Sequence, residues 1–170
     1  LTDPGHVIAL DSETHLLRPG AMAPRVVCVS WATPDGRSGL VHRDSAEDFL
    51  HGVFESGRSL IFANAPFDMA CFAFTWPSLW PRVWDMYDAQ RVHDVLIRQK
   101  LQDIARGRYR GFPTPGGWVP LSYSLDAVQH RYTKRRLDKS ADSWRLRYAE
   151  LEHVPLDQWP EAARTYAVDD

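Results

Sequence analysis

The stretch that decides the fold is Val7-Ile-Ala-Leu-Asp-Ser-Glu13, an apolar run that ends in two acids. Its composition predicts a buried strand over Val7–Asp11. Asp11 and Glu13 stand two residues apart, and side chains at that spacing on an extended strand point to one face. In open α/β sheets, ligands bind at the carboxyl ends of strands. The pair therefore marks a candidate site, although Asp-Ser-Glu-Thr is equally good turn composition.

Strand signals come first along the chain, and helix signals dominate its second half. Residues 25–32 and 37–41 are predicted to form a hairpin, because Pro34-Asp-Gly36 between them is a turn signal. Residues 59–62 are predicted as a short buried strand. Predicted helices cover 45–56, 65–74, 122–132, 141–151, a segment from 85 or 91 to 106, and 160 onward. A loop is predicted over 76–84, and a loop or short hairpin over 107–120. This order predicts an α/β domain with helices on the faces of a sheet.

Two further acidic segments lie at predicted helices. In Asn64-Ala-Pro-Phe-Asp68, Asn64 is a candidate N-cap, and Asp68 alone is also explained as a first-turn carboxylate. In Tyr166-Ala-Val-Asp-Asp170, Tyr166 and Asp170 share a helix face, although Tyr166 alone is also explained as a half-buried helix tyrosine. Acids at a helix C-terminus are unfavourable unless the helix continues or a cation is bound. Carboxylates without paired histidine or cysteine ligands predict Mg²⁺ or Mn²⁺ rather than zinc.

Composition sets broad limits. The chain has 170 residues, 44% of them hydrophobic, which fits one domain over residues 1–170 with a real core. A net charge of −2 excludes a general electrostatic attraction to nucleic acid, so any basic surface must be local. No apolar run approaches the roughly 20 residues of a membrane span, and we expect no membrane partner. The chain starts at Leu1 and stops on Asp170 within a predicted helix, so we expect it to be a fragment of a longer protein.

The three acidic segments, taken in order, resemble the motifs of the DEDD exonucleases. A tyrosine four residues before the last aspartate resembles the tyrosine branch of that superfamily. Taking Asp169 as the last acid would place Thr165 at that position, so Asp170 is the better match. The segments around Asp94, Asp126 and Lys139 look like the proofreading domains of family A DNA polymerases, particularly bacteriophage ones.

This resemblance implies a ribonuclease H-like mixed sheet flanked by helices, with a helix-rich C-terminal half. It also implies two divalent cations, Mg²⁺ or Mn²⁺, held by Asp11, Glu13, Asp68 and Asp170. Tyr166 and Glu13 would orient the attacking water. Such a pair of ions stabilises both the attacking and the leaving oxygen of a phosphoryl displacement.

Candidate substrate contacts follow from the same resemblance and from the basic runs of the sequence. An apolar side chain after the first motif is expected to wedge against the last base, with Leu17 preferred and Leu16 the near alternative. The two leucines are also explained as ordinary core residues. For Asn64 the competing explanation is a plain N-cap, and for the basic run it is a solvated charged face. The remaining predicted contacts are Thr14, Asn64, Phe67, Arg131 and Arg135; the last two lie in a basic run with interleaved aromatic rings, typical of a phosphate-tracking groove.

The leading interpretation is a 3′→5′ exonuclease that acts on the 3′ end of single-stranded DNA, as the proofreading module of a DNA polymerase whose polymerase domain would follow Asp170. The location expected from it is the cytoplasm of a bacterial or phage-infected cell. One alternative is an RNA-trimming exonuclease of the ribonuclease D type. Another is an inactive exonuclease-like domain that only binds nucleic acid, although the presence of all four acids and Tyr166 argues against it.

Overall fold

The computed structural model describes residues 6–134 and 144–169. Within these ranges, five strands form a mixed sheet in the order β3-β2-β1-β4-β5. The strands are β1 (Val7–Thr14), β2 (Val26–Ala32), β3 (Ser38–His42), β4 (Ser59–Phe62) and β5 (Val92–Asp94). β2 runs antiparallel to β1 and β3, whereas β4 is parallel to β1 and β5. The central strand β1 therefore carries the first acidic motif.

Six α-helices in the described ranges accompany this sheet. They are α1 (Arg43–Glu55), α2 (Ala65–Thr75), α3 (Trp80–Asp88), α4 (Val95–Ala105), α5 (Leu125–Thr133) and α6 (Glu161–Asp169). A separate small hairpin pairs β6 (Phe112–Thr114) with β7 (Gly117–Val119), within the segment predicted as a loop or short hairpin. The predicted α/β class, a mixed sheet flanked by helices, is confirmed.

Two hydrophobic cores cover opposite faces of the sheet. The first core packs Ile8, Leu60 and Val29 against α1, α2 and α3. The second core packs Cys28, the neighbour of Val29 on β2, against α6 and the segment around Tyr148. Successive strand residues point to opposite faces, which separates the two cores. Burying a large apolar side chain contributes about 1.5–3 kcal/mol, so each core is a substantial source of stability.

The segment 76–84 differs from its prediction as a loop. The structure has a 3₁₀ turn at Pro77–Leu79, followed directly by α3. Pro77 and Pro81 each occupy the first turn of their helix, where the backbone N–H that proline lacks has no partner to lose. The loop prediction is wrong because a proline breaks a helix only in its interior.

The helix predicted over 141–151 also differs, and part of it lies outside the described residues. Its described part forms two 3₁₀ turns, Trp144–Leu146 and Tyr148–Leu151. Tyr148 is fully buried in the second core, and its hydroxyl donates to the Ala163 carbonyl at 2.7 Å. This tertiary anchor overrides the helical propensity of the segment. None of the helices in the described ranges has the length and apolar character needed to cross a membrane.

Candidate active site

Asp11 and Glu13 lie on the same face of β1, the face covered by the second core. Asp11 is opposite Ser30 on β2, and Glu13 is opposite Cys28. The pairing register shifts between Glu13 and Thr14, so a bulge ends the regular ladder directly after the second acid. Bulges of this kind re-aim side chains at the rim of a sheet. Glu13 is buried, with 6% of its surface exposed, so this carboxylate is held in a fixed environment.

Asp68 reaches the same end of β1 from the first turn of α2. The pairing of β1 with β4 covers Val7 to Ala9, so Ser12 lies beyond that ladder on the edge facing α2. The Ser12 backbone N–H donates to Asp68 Oδ1 at 3.1 Å, and the Ser12 hydroxyl donates to the same oxygen at 2.6 Å. Asp68 is only 1% exposed. Ser12 lies between Asp11 and Glu13 in sequence. Its hydrogen bonds therefore hold Asp68 next to the strand that carries these two acids.

The electrostatics of this region show that the carboxylates act on each other. Burial and the charge of Asp11 raise the pKa of Asp68 well above its usual range, against the opposing effect of the Ser12 hydrogen bonds. Burial, Asp68 and Asp11 raise the pKa of Cys71 from 9.0 to about 12. Burial, Glu13 and Asp11 raise the pKa of Cys28 well above its ordinary value. Both cysteines are free thiols, so they act here as small apolar neighbours of a concentrated negative charge.

The turn before α2 is stabilised differently from the prediction. Asn64 adopts a left-handed backbone conformation with φ of 75°, and its side chain makes no capping hydrogen bond. Asn is one of the few residues that tolerate this conformation. Asp94 instead accepts from the Ala65 N–H at 2.9 Å, and it also caps α4 through the Leu96 N–H. Sequence reasoning missed this role of Asp94, although an Asp immediately before a helix is an N-cap signal.

Tyr166 approaches the acidic end of β1 from α6. Its ring packs on the second core, which contains Cys28, and lies 6.3 Å from the Tyr148 ring centroid. Two residues further along α6, Val168 lines a cavity of about 230 Å³ together with Asp11 and other residues. The last turn of α6 therefore covers the face that carries Asp11. Asp170 lies outside the described residues.

The predicted substrate contacts fall into two groups. Leu16, Leu17 and Phe67 are exposed by 55%, 60% and 37%, so their apolar surfaces are open to a ligand rather than part of a core. The Thr14 hydroxyl donates to the His15 carbonyl at 2.9 Å. Arg131 belongs to a different environment, described next, and Arg135 lies outside the described residues.

Arg131 lies in a polar network between α4 and α5. Its Nη1 donates to Asp103 Oδ2 at 3.0 Å, and the same oxygen accepts from Gln99 and Tyr123 at 3.1 Å each. Asp103 is 3% exposed; burial alone raises its pKa, but these hydrogen bonds and the charge of Arg131 prevail and lower it. A buried carboxylate that is satisfied in this way is a structural element. The network accounts for Arg131 through contacts within the protein.

The donor set at the end of β1 fits hard divalent cations. No group of three His, Cys, Asp or Glu side chains suited to a metal occurs in residues 6–134 and 144–169, and Asp170 is outside them. Asp11, Glu13 and Asp68 supply oxygen donors only, which is the set that Mg²⁺ and Mn²⁺ prefer. Burial and the charge of Asp11 raise the pKa of Asp68, and a bound cation would favour the ionised carboxylate against both effects.

Comparison with known protein families identifies the class of this domain. The 3′-5′ exonuclease family model matches residues 2–170, and the chain belongs to that family. Comparison with curated protein sequences gives no significant match.

Solved structures share the fold at low sequence identity. The EXO domain of Aedes aegypti Nibbler superposes with a TM-score of 0.59 at 16% identity, covering 96% of this chain and 72% of that one. Brucella melitensis NrnC bound to pGG gives 0.61 at 18% identity, covering 97% and 66%. Escherichia coli RNase D, described as an exoribonuclease involved in structured RNA processing, gives 0.58 at 16% identity, covering 97% and 36%. The chain thus spans little more than a third of RNase D, and these similarities establish the fold.

Proposed function

We propose that this domain hydrolyses single strands of nucleic acid from the 3′ end, with a reaction that requires two divalent cations. One observation carries the proposal: Ser12 holds the buried Asp68 against the end of β1, close enough for Asp11 to raise its pKa. Concentrating acids in this way is unfavourable for a protein that only needs to fold, because like charges repel and burial disfavours ionisation. Perturbed carboxylates at the end of a central strand are expected where cations bind.

In the proposed site, Asp11, Glu13, Asp68 and Asp170 hold the cations. When bound, a pair of Mg²⁺ or Mn²⁺ ions supplies positive charge to the scissile phosphate and lowers the pKa of a water that attacks it. The protein's own contribution is positioning. Ser12 fixes one oxygen of Asp68, while Tyr166, packed on the second core, offers a hydroxyl that orients the attacking water together with Glu13.

The terminal nucleotide is proposed to rest against side chains near the first two motifs. Leu17, or Leu16, supplies the apolar wedge, and both are more than half exposed. Phe67 lies on the first turn of α2, one residue before Asp68, and 37% of its surface is exposed. Thr14 and Asn64 are the remaining polar candidates on either side of the same site.

The two enzymatic candidates differ in the sugar of their substrate, which is deoxyribose in DNA and ribose in RNA. A DNA substrate corresponds to proofreading within a DNA polymerase, as the sequence motifs imply. An RNA substrate is favoured by a different observation, the fold shared with RNase D, whose description is that of an exoribonuclease. Discrimination between the two depends on how the pocket treats the 2′-hydroxyl. The third candidate is a domain that only binds strands. Unlike the two enzymes, such a domain would release no cleavage product.

The test uses DNA and RNA strands of one sequence, each labelled at the 5′ end. We expect a ladder that shortens from the 3′ side when Mg²⁺ or Mn²⁺ is present, and no products in chelator. A 3′-phosphate should suppress cleavage, and a closed circular strand should survive. Cleavage in excess chelator, or efficient cutting of the circle, would contradict the proposal. The ratio of kcat/KM for the two strands then assigns the substrate.

A further inference from the structure

A second cluster of charge lies beyond Glu13, around the buried carboxylate of Glu152. Arg25 Nη2 and His15 Nε2 each lie 3.0 Å from a different oxygen of Glu152. Arg43 forms an ion pair with the same oxygen as Arg25, and His153 lies 3.8 Å from the other. Glu152 is 6% exposed, so this arrangement is built into the fold rather than formed by mobile surface side chains.

This cluster forms one side of an open cavity, which we call the basic pocket. His15, Arg18 and Arg25 line it together with the apolar side chains of Leu16 and Phe74, and its volume is about 230 Å³. The Arg25 side chain is 55% exposed in spite of its ion pair. Arg18 is exposed and forms no salt bridge with any residue that the structure describes. The pocket thus presents two guanidinium groups to solvent.

The acids in the part of the chain that the structure describes do not fully compensate the positive charge of this pocket. Arg25 and Arg43 share the single carboxylate of Glu152, and Asp44 is the other acid that acts on Arg43. The Arg43 side chain is 17% exposed and faces the interior of the cluster. Positive charge therefore remains on the solvent side, at Arg18 and Arg25. A guanidinium presents a planar fork of donors that matches the oxygens of a phosphate group, the anion that a nucleic acid strand supplies.

The basic pocket adjoins the acidic site. His15 follows Glu13 by two residues, which corresponds to roughly 6–7 Å along an extended chain. The His15 N–H donates to the Arg25 carbonyl at 2.9 Å, which continues the contact between the two strands past the end of β1. A strand bound at Asp11, Glu13 and Asp68 can therefore place a neighbouring phosphate in the pocket.

We propose that the basic pocket, through Arg18 and Arg25, binds a backbone phosphate on the 5′ side of the scissile bond. The inference rests on the proposed function. In a strand with a free 3′-hydroxyl, the last phosphate is the one being cleaved, so every other phosphate lies on its 5′ side. The pocket thereby fixes the polarity of the bound strand. From the acidic site, the strand runs in its 5′ direction towards the connection between β1 and β2. Leu16 and Leu17, the two candidates for the apolar wedge, lie in sequence between Glu13 and Arg18, and Leu16 also lines the pocket.

The test neutralises either a phosphate of the strand or an arginine of the protein. Strands carry a single neutral methylphosphonate at successive linkages, and binding is measured by fluorescence anisotropy in chelator, where hydrolysis does not interfere. We expect one linkage near the 3′ end to be sensitive, with affinity falling roughly 3-fold to 10-fold when it is neutral. Arg18→Ala should weaken binding of the natural strand by a similar factor and make that linkage less sensitive, as expected for directly interacting groups, while Arg25 retains its own contact. The slope of log affinity against log salt should fall by about 0.7 for the lost contact.

Two further variants serve as controls. Arg18→Lys keeps the positive charge but loses the planar fork of donors, so it should recover part of the affinity. Arg37→Ala removes the same charge from the turn at the opposite end of β2, where Arg37 pairs with Asp35, and should leave the salt slope unchanged. In turnover with Mn²⁺, Arg18→Ala should raise KM with little change in kcat, because only substrate binding is affected.

The outcomes separate the two proposals. If the wild-type domain degrades strands but Arg18→Ala retains the same KM, salt slope and linkage sensitivity, the phosphate pocket is wrong and the exonuclease proposal stands. If strands bind with the expected dependence on Arg18 but are never hydrolysed, the pocket stands as a phosphate site and the proposed reaction is wrong.

Discussion

Ser12 donates two hydrogen bonds to a single oxygen, Asp68 Oδ1, at 3.1 Å from its backbone N–H and 2.6 Å from its hydroxyl. The two residues are 56 positions apart in sequence, on β1 and α2. The contact fixes the orientation of a buried carboxylate whose charge is opposed both by burial and by Asp11. Ser12 therefore acts as a positioning residue for the second acidic motif.

Replacing Ser12 by alanine tests this role. The variant loses the hydroxyl contact but keeps the N–H contact, and a hydrogen bond to a charged group contributes about 1.5–3 kcal/mol. We expect the single-turnover rate to fall by roughly 10-fold, since about 1.4 kcal/mol corresponds to a factor of ten. Ser12→Thr retains a hydroxyl and should restore the rate, whereas Ser45→Ala, at an exposed position of α1, should be silent. A normal rate in Ser12→Ala would show that Asp68 needs no such support.

The raised pKa of Asp68 predicts how stability depends on pH. Because the pKa is higher in the folded chain than in the unfolded chain, the stabilising contribution is fully present below the ordinary aspartate value of about 3.9 and is lost as pH rises through the folded value. In chelator, the wild-type melting temperature should therefore fall as the pH is raised from about 4 towards neutrality. Asp68→Asn removes the ionisation and should be the more stable protein at pH 7, by roughly 3 °C for each kcal/mol relieved.

Cation binding should reverse that order of stability. Mn²⁺ should raise the melting temperature of the wild-type protein, because a ligand that binds only the folded state stabilises it. Asp68→Asn should gain little from Mn²⁺ and should be inactive. Asp88→Asn, at the exposed end of α3, removes an acid without touching the site and should behave as wild type. Equal stabilisation of all three proteins by Mn²⁺ would place the cation site elsewhere.

Asp11 and Tyr166 should differ in what their loss does to metal binding. Asp11→Ala removes a proposed ligand, so activity should fall to background and Mn²⁺ affinity should drop. Tyr166→Phe removes only a hydroxyl, and a lost orienting contact of this kind costs on the order of 10²-fold in rate. Calorimetric titration of Mn²⁺ beside single-turnover rates distinguishes the two. Asp169→Ala is the matched control, because Asp170 is the proposed ligand and the neighbouring acid should matter much less.

Should Tyr166→Phe abolish metal binding, or Asp11→Ala keep a normal rate, the roles assigned to these two residues are wrong. Asp11→Ala also makes a prediction about stability. Asp11→Ala removes a charge that raises the pKa of Asp68, so in chelator it should not destabilise the fold.

Arg131 is expected to matter for stability more than for substrate binding. Arg131→Ala leaves the buried carboxylate of Asp103 without its ionic partner, which should cost about 2 kcal/mol in the free energy of unfolding. Urea unfolding with an unchanged m-value measures this loss. Arg108→Ala removes an exposed arginine from the turn that follows α4 and is the control. A stable Arg131→Ala variant with a strongly reduced affinity for strands would instead support the sequence-based prediction of a substrate contact.

Local patterns predicted most of the sheet. The apolar run that ends at Asp11 and the turn at Pro34-Asp-Gly36 predicted β1 and the β2–β3 hairpin, because both signals depend on neighbours in sequence. The spacing of Asp11 and Glu13 likewise predicted that they share a face of the strand. β5 escaped prediction because three residues are too few to show alternation.

Contacts between residues that are far apart in sequence could not be predicted, because no local sequence pattern signals them. His15 and Glu152 are 137 positions apart, and neither has a neighbour in sequence that signals their pairing. The Ser12–Asp68 contact is of the same kind, since a serine between two acids resembles any polar turn. Sequence reasoning could therefore place the acids of the candidate site but not the groups that orient them.

The second core has a consequence for the order in which the domain matures. Within this domain, β1 is synthesised before α6, which carries Tyr166 and Val168. The first core joins β1 and β4 to α1, α2 and α3, all of which precede β5 in the sequence. A nascent chain can thus bury that core while the helix that covers Asp11 is still missing. In the proposed mechanism, the catalytic site is therefore completed only after α6 has been synthesised, later than the first core.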